Sequence, residues 1–309
     1  MSRLHAHVGT IRQLEILCAL QEHGSVVAAA RALHLTQPTV SMQLRKLSEA
    51  VGLPLYFQVG RRLQLTDAGR EMVSSAREIL SCFERLDMRL TKMRGLTAGT
   101  LRIAVVTTAK YFIPHLIGEF CKLYPDISVE LKVGNREQIA QRMAEGLDDF
   151  CVFSHPPKKE EYLLTEFLPN RLVAIAPEQH ELAGRERIPL EEFARAPFLM
   201  REAGSGTRYA IERHMERFDC ELNVRMTIES NEAIKHMVMA GMGVSILSEH
   251  TWNVGGEAGI AILDVEHLPI KTNWYLARLG SKPVTPVAEA LLEYVQREER
   301  LKGLKKVEL

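Results

Sequence analysis

The sequence predicts an N-terminal all-α winged helix-turn-helix with a long linker helix, followed by an α/β domain of two lobes. Residues 26–51 combine helix caps, apolar spacing and a short turn in the pattern of a helix-turn-helix. From residue 100 onwards, β-rich segments alternate with amphipathic helices, which indicates parallel strands joined by crossover helices. Because residues 100–309 exceed what one such sheet usually needs, we expect two subdomains separated by a cleft.

Charge is distributed unevenly along the chain. The formal net charge at pH 7 is zero, yet residues 1–94 contain 13 Lys and Arg against 8 Asp and Glu, whereas residues 95–309 contain 26 and 31. A basic N-terminal third joined to an acidic remainder is expected when only the first part contacts phosphates. The counts therefore favour a nucleic-acid partner for the N-terminal part.

The sequence shows no targeting or membrane segment. No apolar run approaches the roughly 18 residues that cross a bilayer, and residues 1–10 lack the apolar region of a secretion signal. The five cysteines are scattered and include no C-x-x-C pair, which argues against a disulfide framework and a structural zinc site. We expect a cytoplasmic protein with neither a metal site nor a membrane partner.

Three short helices are predicted near the N-terminus from apolar spacing and capping residues. The third begins after Thr36, with Pro38 at a favoured first-turn position, and ends at Gly52. Alanines at 28–30 let the second and third helices cross closely, as this motif requires. The predicted helices cover residues 11–23, 26–33 and 37–51.

The first turns of the third helix carry polar side chains that suit base edges. The Gln37 amide can bridge N6 and N7 of adenine, and hydroxyls can reach bases or phosphates. Arg45 and Lys46, one turn further, suit the phosphate backbone. Two apolar segments, 53–57 and 62–65, flank a hairpin tip whose arginines suit phosphate or the minor groove. The predicted DNA contacts are Gln37, Pro38, Thr39, Ser41, Met42, Arg45, Lys46, Arg61 and Arg62.

A fourth helix, opened by Thr66 and Asp67, carries a heptad repeat of apolar residues. They recur at spacings of 4 and 3 over three heptads, which predicts a helix–helix seam and therefore a dimer. The alternative, a helix that lies on its own domain, stays open because Ala76 is a weak knob. Residues 95–99 follow as a hinge. The predicted seam residues are Met72, Ile79, Phe83, Leu86 and Leu90.

Several loops after predicted strands place hydroxyl, amide and basic side chains at helix starts. Helix starts favour anions, because their backbone N–H groups and the helix dipole point at the ligand. A single glycine loop is also compatible with an ordinary turn, but the combination predicts a small anionic effector. The predicted effector-binding residues are Thr107, Thr108, Lys110, Asn135, Arg136, Arg201, Ser205, Gly206, Thr207, Arg208, Ser230 and Asn231.

The string A-A-A-R-A-L-H-L-T-Q-P-T-V-S at 28–41, together with L-T-D-A-G at 65–69, closely resembles the LysR-type transcriptional regulators. The resemblance covers the whole chain. It implies an effector domain like periplasmic binding proteins, with the effector between the lobes near Thr107, Thr108 and the Ser-Gly-Thr loop at 205–207. It also implies a homotetramer that activates transcription, with double-stranded DNA and RNA polymerase as partners.

The pattern and the resemblance together predict domain boundaries. We expect the DNA-binding domain over residues 1–66, the linker and dimerisation helix over 67–94, and the hinge over 95–99. The effector-binding domain then covers residues 100–309. Within it, lobe I is expected to take about 100–168 and 268–309, and lobe II about 169–267.

Four strings are similar to the branch of this family that controls Calvin-cycle (RuBisCO operon) genes: T-T-A-K-Y-F-I-P at 107–114, V-G-N-R-E at 133–137, F-L-M-R-E-A-G-S-G-T-R at 198–208 and S-N-E-A-I-K at 230–235. The resemblance implies an effector such as ribulose bisphosphate, phosphoglycolate, phosphoenolpyruvate or NADPH. The positive charge would come from Lys110, Arg136, Arg201 and Arg208, but such clamps also hold carboxylates. A regulator of nitrogen, sulfur or aromatic metabolism with a carboxylate effector therefore stays an alternative.

Two other classes of protein fit the sequence less well. An enzyme would need a catalytic motif, and the chain contains no G-x-S-x-G, H-E-x-x-H or P-loop. A DNA-architectural protein would not need the large second domain. The sequence therefore predicts no catalytic residue and no cofactor besides the effector.

Overall fold

The structure is a computed structural model that describes residues 9–59, 62–93, 98–251 and 258–297. The chain forms two compact units, Met1–Met93 and Arg94–Leu309, which are described separately. Within the described ranges, no helix is both long enough and apolar enough to cross a membrane.

The first unit combines helices with a two-stranded antiparallel hairpin. Its elements are α1 (Ile11–His23), α2 (Val26–Ala32), α3 (Gln37–Val51), β1 (Tyr56–Val59), β2 (Arg62–Leu65) and α4 (Asp67–Met93).

A shared apolar core holds the first unit together. Leu17 of α1, Leu47 of α3 and Val73 of α4 belong to one buried cluster and are each at most 1% exposed. Ala29 and Ala30 of α2 are buried as well. Because alanine is small, α2 lies close to its neighbours without leaving a gap, as the alanine run predicted.

Capping residues set the helix boundaries of the helix-turn-helix. Thr36 Oγ1 accepts a hydrogen bond from the Thr39 amide at 3.4 Å, and Gly52, with φ of 75°, ends α3 in the left-handed conformation. Ser25 caps α2 by accepting a hydrogen bond from the Ala28 amide at 3.2 Å. The predicted helix-turn-helix over residues 26–51 is confirmed.

The L-T-D-A-G string forms the junction between β2 and α4. Thr66 Oγ1 donates to the Pro54 carbonyl oxygen at 2.6 Å and accepts from the Gly69 amide at 3.0 Å. A Cβ atom on Gly69 would lie 1.9 Å from the Leu55 carbonyl oxygen. Glycine is therefore required for the first turn of α4 to pass so close to this backbone.

The second unit alternates strands and helices. Its strands are β3 (Gly99–Val106), β4 (Ile127–Gly134), β5 (Phe150–Phe153), β6 (Tyr162–Pro177), β7 (Phe198–Arg201), β8 (Val224–Ile228), β9 (Ser245–Ser248), β10 (Ile260–Leu263) and β11 (Ile270–Leu279). Its helices are α5 (Ile113–Leu123), α6 (Arg136–Ala144), α7 (Leu190–Arg195), α8 (Gly206–Glu216), α9 (Asn231–Met239) and α10 (Pro286–Gln296), with 3₁₀-helices at Thr107–Tyr111 and Glu249–Thr251.

The main sheet is mixed rather than parallel. Its order is β10-β6-β11-β5-β3-β4, and β9 also pairs with β6. β3 runs parallel to β4 and β5, and β7 runs parallel to β8, but every pairing of β6 and β11 is antiparallel. The prediction of parallel sheets was therefore wrong for the central strands. The reason is topological: the chain leaves the first half of the unit along β6 and returns along β11, so the two strands run in opposite directions.

These two long strands connect two lobes. β6 pairs with β11 from Tyr162 to Leu172, and its last residues also pair with β9 and β10. Lobe I contains β3 to β5 with α5, α6 and α10, and lobe II contains β7 to β10 with α7 to α9. The predicted lobe boundaries, near 168 and 268, fall within or beside these strands. The fold class, a helical N-terminal domain and a two-lobed α/β domain, is confirmed.

Replacing Gly69 by alanine is expected to destabilise the first unit by about 1–3 kcal/mol, because the new Cβ overlaps the Leu55 carbonyl oxygen. Urea unfolding followed by circular dichroism measures the change. The control is Gly118→Ala in α5, where nothing lies within 4 Å of the new Cβ. That substitution should stabilise the protein by roughly 0.5–1 kcal/mol. Destabilisation of equal size in both variants would contradict the steric explanation.

Candidate functional sites

The exposed side of α3 carries the predicted DNA-contacting side chains. Val40, Leu44 and Leu47 face the core. The Thr39 hydroxyl lies 2.8 Å from that of Thr36, so it takes part in the helix cap. Arg45 Nε lies 3.6 Å from Glu49 Oε1 on the surface. The exposed members of the predicted set are Gln37, Pro38, Ser41, Met42, Arg45 and Lys46.

The predicted wing is an antiparallel hairpin. Val59 pairs with Arg62 at its described end, and Tyr56 pairs with Leu65 at the other. Arg61 lies outside the described residues, and of Arg62 only the backbone, within β2, is described. The wing is therefore in place, while the contacts of its two arginines stay a prediction.

The apolar face of α4 starts later than the heptad pattern predicted. Met72 is half-buried against the core of the first unit, and Ala76 is fully buried. The predicted seam therefore needs a correction at Met72, which packs within its own unit. Beyond Ala76, Met88 is buried and Leu80 is half-buried, but four side chains of the heptad repeat are exposed. They are Ile79 at 37%, Phe83 at 51%, Leu86 at 51% and Leu90 at 47%.

Arg201, at the end of β7, lies where the two lobes meet and is 1% exposed. Its Nε and Nη2 donate to the two carboxylate oxygens of Glu202, at 2.8 and 2.9 Å. Nη1 donates to Asn231 Oδ1, and Nη2 also donates to Thr107 Oγ1 at 3.2 Å. Asn231 Nδ2 in turn donates to Thr108 Oγ1 at 3.4 Å. One guanidinium thus connects the residues that follow β3, β7 and β8.

A second link crosses the cleft between Lys110 and Glu232, with 2.9 Å between Nζ and Oε1. Both side chains are half-exposed. Burial of the Glu232 carboxylate opposes its ionisation, but the neighbouring Tyr111 hydroxyl and Lys110 ammonium outweigh this effect and lower the pKa of Glu232 to about 2. The carboxylate is therefore charged at neutral pH and neutralises Lys110.

On the opposite side of the cleft, the start of α6 contacts the loop before α8. Asn135 caps α6 by accepting a hydrogen bond from the Gln138 amide at 2.9 Å. The Glu137 amide donates to the Gly204 carbonyl oxygen at 3.3 Å. Gly204 has φ of 82°, and a Cβ on it would lie 2.9 Å from Glu137 Oε2. Glycine therefore permits the close approach of lobe II to lobe I.

Arg136 contacts uncharged partners in this part of the cleft. Its Nε donates to the His155 carbonyl oxygen at 2.7 Å, and its guanidinium lies 4.5 Å from the centre of the Tyr209 ring. A Cβ on Gly206 would lie 3.7 Å from the Arg136 Cβ and Cδ. Arg136 is thus beside the N-terminus of α8, where the amides of the first turn have no helical acceptor.

Two titratable groups report a positive potential here. Burial lowers the pKa of His155, and repulsion by Arg136 and Arg213 lowers it further, to about 4. The pKa of Tyr209 is also lowered, chiefly by the hydrogen bond from Arg213, whose Nη1 lies 3.0 Å from the hydroxyl oxygen. In both shifts the contribution of the arginines is that of nearby positive charge, whereas burial, the larger cause at His155, disfavours charge of either sign. This end of the cleft therefore suits an anion.

Two predicted effector residues have other contacts. Ser230 caps α9 by accepting from the Ala233 amide at 3.3 Å and donating to Glu232 at 3.0 Å. Arg208 pairs with Glu212 at 2.7 Å. The structure brings the others to the two sides of one cleft. They are Thr107, Thr108, Lys110, Asn135, Arg136, Arg201, Ser205, Gly206, Thr207 and Asn231.

Sequence reasoning did not select the uncharged and acidic partners of these cations. Glu202 and Glu232 each follow a selected residue directly in the chain, and Tyr209 lies in the same helix as Thr207. The two glutamates could have been found in the sequence, because each is an acidic residue directly after a selected arginine or asparagine. The prediction considered only positive charge and hydroxyls, so it left them out.

A winged helix-turn-helix combined with a two-lobed domain that has a polar cleft defines a ligand-responsive, DNA-binding transcriptional regulator. Residues 11–70 match the family described as bacterial regulatory helix-turn-helix protein, lysR family, and residues 94–300 match the LysR substrate binding domain. The chain belongs to the LysR family of transcriptional regulators and is not an enzyme.

Similar proteins place the chain in the branch that the sequence strings indicated. It is 43% identical to the HTH-type transcriptional activator CmpR of Synechocystis sp., over 93% of this chain and 94% of that protein. It is 38% identical to the RuBisCO operon transcriptional regulator of Acidithiobacillus ferrooxidans, over 96% and 95%. The regulatory domain of Synechocystis CcmR in complex with 2-PG is 45% identical, with a TM-score of 0.62, and the match covers 64% of this chain and 95% of that one. The resemblance to the RuBisCO operon regulators is confirmed.

Proposed function

We propose that this chain controls carbon-fixation genes by binding double-stranded DNA in response to a small phosphorylated metabolite. The observation that carries the proposal is the cleft in which Arg136 lies beside the N-terminus of α8. Helix amides and an arginine together suit phosphate oxygens. The regulators of carbon fixation to which the chain is similar support the target genes, and the 2-PG complex of CcmR supports the class of ligand.

Within the cleft, we assign different roles to the predicted residues. Arg136, Ser205, Gly206 and Thr207 would contact the phosphate, since Arg136 lies beside this helix start. Arg201 is engaged on all three nitrogens and would position Thr107 and Asn231 rather than bind the ligand itself. The cleft also fits a carboxylate, so a carboxylate effector from another pathway, or NADPH, is the competing outcome of the ligand test below.

On DNA, the exposed side of α3 would enter the major groove. Its first turns would read base edges, Arg45 and Lys46 would contact phosphates, and the wing with Arg61 and Arg62 would add backbone contacts. The exposed stripe on α4 would pair with a second copy, and a homotetramer of such dimers would act with RNA polymerase in the cytoplasm. We place the boundaries at 66, 94 and 99, as the sequence predicts.

The signal would pass from the cleft to the DNA as a population shift. The contacts of Arg201 with Thr107 and of Lys110 with Glu232 join the two lobes. A ligand that competes with them changes the relative stability of lobe arrangements, and the hinge at 95–99 transmits the change.

Ligand is expected to alter the footprint or bend of promoter DNA. Footprinting with and without 2-phosphoglycolate measures this for the full chain, with NADPH and an aromatic acid as comparison ligands.

Arg136→Gln should weaken binding of 2-phosphoglycolate about 10–100-fold, because a charge-assisted hydrogen-bonding group is lost. The matched control is Arg185→Gln on lobe II, an arginine that pairs with Glu192. An identical footprint with saturating ligand would contradict the proposed mechanism.

Gln37→Ala is expected to weaken binding to the operator by about 1–3 kcal/mol, because a base contact is lost. The discrimination between bases should decrease at one position of the operator. Lys46→Ala should weaken binding to all sequences alike and reduce the salt slope by roughly one. Fluorescence anisotropy with single-base operator variants, at several salt concentrations, separates the two effects. Sequence-independent weakening by Gln37→Ala would rule out its role in base reading.

Phe83→Glu is expected to dissociate the dimer, because it places a charge in the middle of the exposed stripe of α4. Ser74→Glu places the same charge on the exposed opposite side of the helix and should leave the assembly intact. Sedimentation velocity of both variants at micromolar concentration makes the comparison. Unchanged sedimentation of Phe83→Glu would show that the stripe does not form the seam.

A further inference from the structure

The cleft contains more negative charge than an anion site needs. Arg201 lies 2.8 Å from Glu202, and Lys110 lies 2.9 Å from Glu232. Among the described residues, no carboxylate forms an ion pair with Arg136, whose contacts are a carbonyl oxygen and an aromatic ring. Two of the cations that the sequence assigned to the effector are therefore already neutralised by the chain itself.

Glu202 lies beside the proposed phosphate position, whereas Glu232 lies on the Lys110 side of the cleft. The Ser205 amide, at the N-cap of α8, donates to the Glu202 carbonyl oxygen at 3.2 Å, so Glu202 is in the loop that opens this helix. Its side chain is 14% exposed and binds Arg201 through both oxygens. Glu232 lies in the first turn of α9 and reaches across the cleft to Lys110. An anion that extends from the α8 N-terminus towards Lys110 would therefore approach both carboxylates.

The electrostatic consequence depends on the charge of the ligand. A fixed carboxylate a few ångströms away repels each negative charge of the ligand, and in a partly buried site this repulsion is larger than in water. A second phosphate of the ligand therefore adds its own repulsive free energy, which decreases with its distance from the carboxylate. The same carboxylates also reduce what Arg201 and Lys110 contribute to attraction.

We propose that Glu202 and Glu232 are charge-selecting residues of the effector cleft, which weaken binding more strongly the more negative charge a ligand carries. This inference rests on the proposed function, because it concerns the same cleft. It assigns to the two glutamates a role in specificity that is separate from the attraction by Arg136 and the α8 N-terminus.

The test compares two ligands that share a carbon skeleton, ribulose 5-phosphate and ribulose 1,5-bisphosphate. Isothermal titration calorimetry at low salt measures their binding to the full chain and to the variants Glu202→Gln and Glu232→Gln. Each variant should raise the affinity for the monophosphate by up to about fivefold and that for the bisphosphate by a larger factor, because the second phosphate adds a further repulsion. At high salt the difference should shrink.

The matched control is Glu192→Gln. Glu192 binds Arg185 through both carboxylate oxygens, at 2.6 and 2.9 Å, on the exposed surface of lobe II. This variant should change neither affinity by more than about twofold, since surface pairs are weak and screened. Urea unfolding checks that the glutamine variants fold. Glu202→Gln leaves the buried Arg201 without its carboxylate partner and could destabilise the domain, so Glu232→Gln, in the half-exposed pair, serves as the second variant.

The outcomes separate this inference from the proposed function. If the wild type binds either ligand but both variants leave the affinity ratio unchanged, the charge-selecting role is wrong and the effector class stands. A rise of both affinities by one common factor leaves their ratio unchanged and leads to the same conclusion. If neither ligand binds to the wild type or to either variant, the phosphorylated-effector proposal and this inference both fail.

Discussion

The buried guanidinium of Arg201 is the constraint on which the effector domain depends. A charge that is 1% exposed is tolerated only when acceptors surround it, because its loss of hydration is costly. Its acceptors come from separate segments: Glu202 after β7, Asn231 at the start of α9 and Thr107 after β3. Since Thr107 belongs to lobe I and the others to lobe II, satisfying this charge fixes the distance between the lobes. The cleft thus has a defined width set by the protein's own hydrogen bonds.

The two ends of the cleft offer different contacts to an anion. Near Arg136 the described contacts of the guanidinium are neutral, so an anion there would not compete with an ion pair of this arginine. Near Lys110 and Arg201 it meets pairs that already bridge the lobes, and any gain there comes at the expense of these bridges. A ligand shifts an equilibrium only by its difference in affinity for two states. The asymmetry between the two ends would supply that difference, because binding at one end and competition at the other would depend differently on lobe closure.

The sequence predicted local features well and long-range partners poorly. Helix boundaries such as those of α3 followed from a cap at Thr36 and a left-handed Gly52, which are local properties. The direction of β6 and β11 did not, because an apolar segment does not reveal which strand lies beside it. In the cleft, the sequence pointed to cations but not to their partners, since Arg201 and Thr107, for example, are 94 residues apart. Which carboxylate neutralises which cation is decided by tertiary structure, so a count of positive charges overestimated the attraction available to a ligand.

The helix α4 shows the same limit in another form, since a heptad pattern does not distinguish a helix's own core from a partner's surface. At the heptad positions, Ala76 is fully buried and Ile79 is 37% exposed, so this face of the helix leaves the core of the first unit within a single turn, although Met88 on another face is buried. The part before this point is tied to the winged domain by the close approach of Gly69 to Leu55. The part after it continues without glycine or proline to Met93. The whole helix has 27 residues and is therefore about 40 Å long. A second copy bound to this stripe would therefore hold two DNA-reading helices in a fixed relation, which is what half-sites one helical turn apart require. A coupling free energy of a few kcal/mol between effector binding and DNA binding could then change the relation of the two DNA-reading helices through this continuous helix.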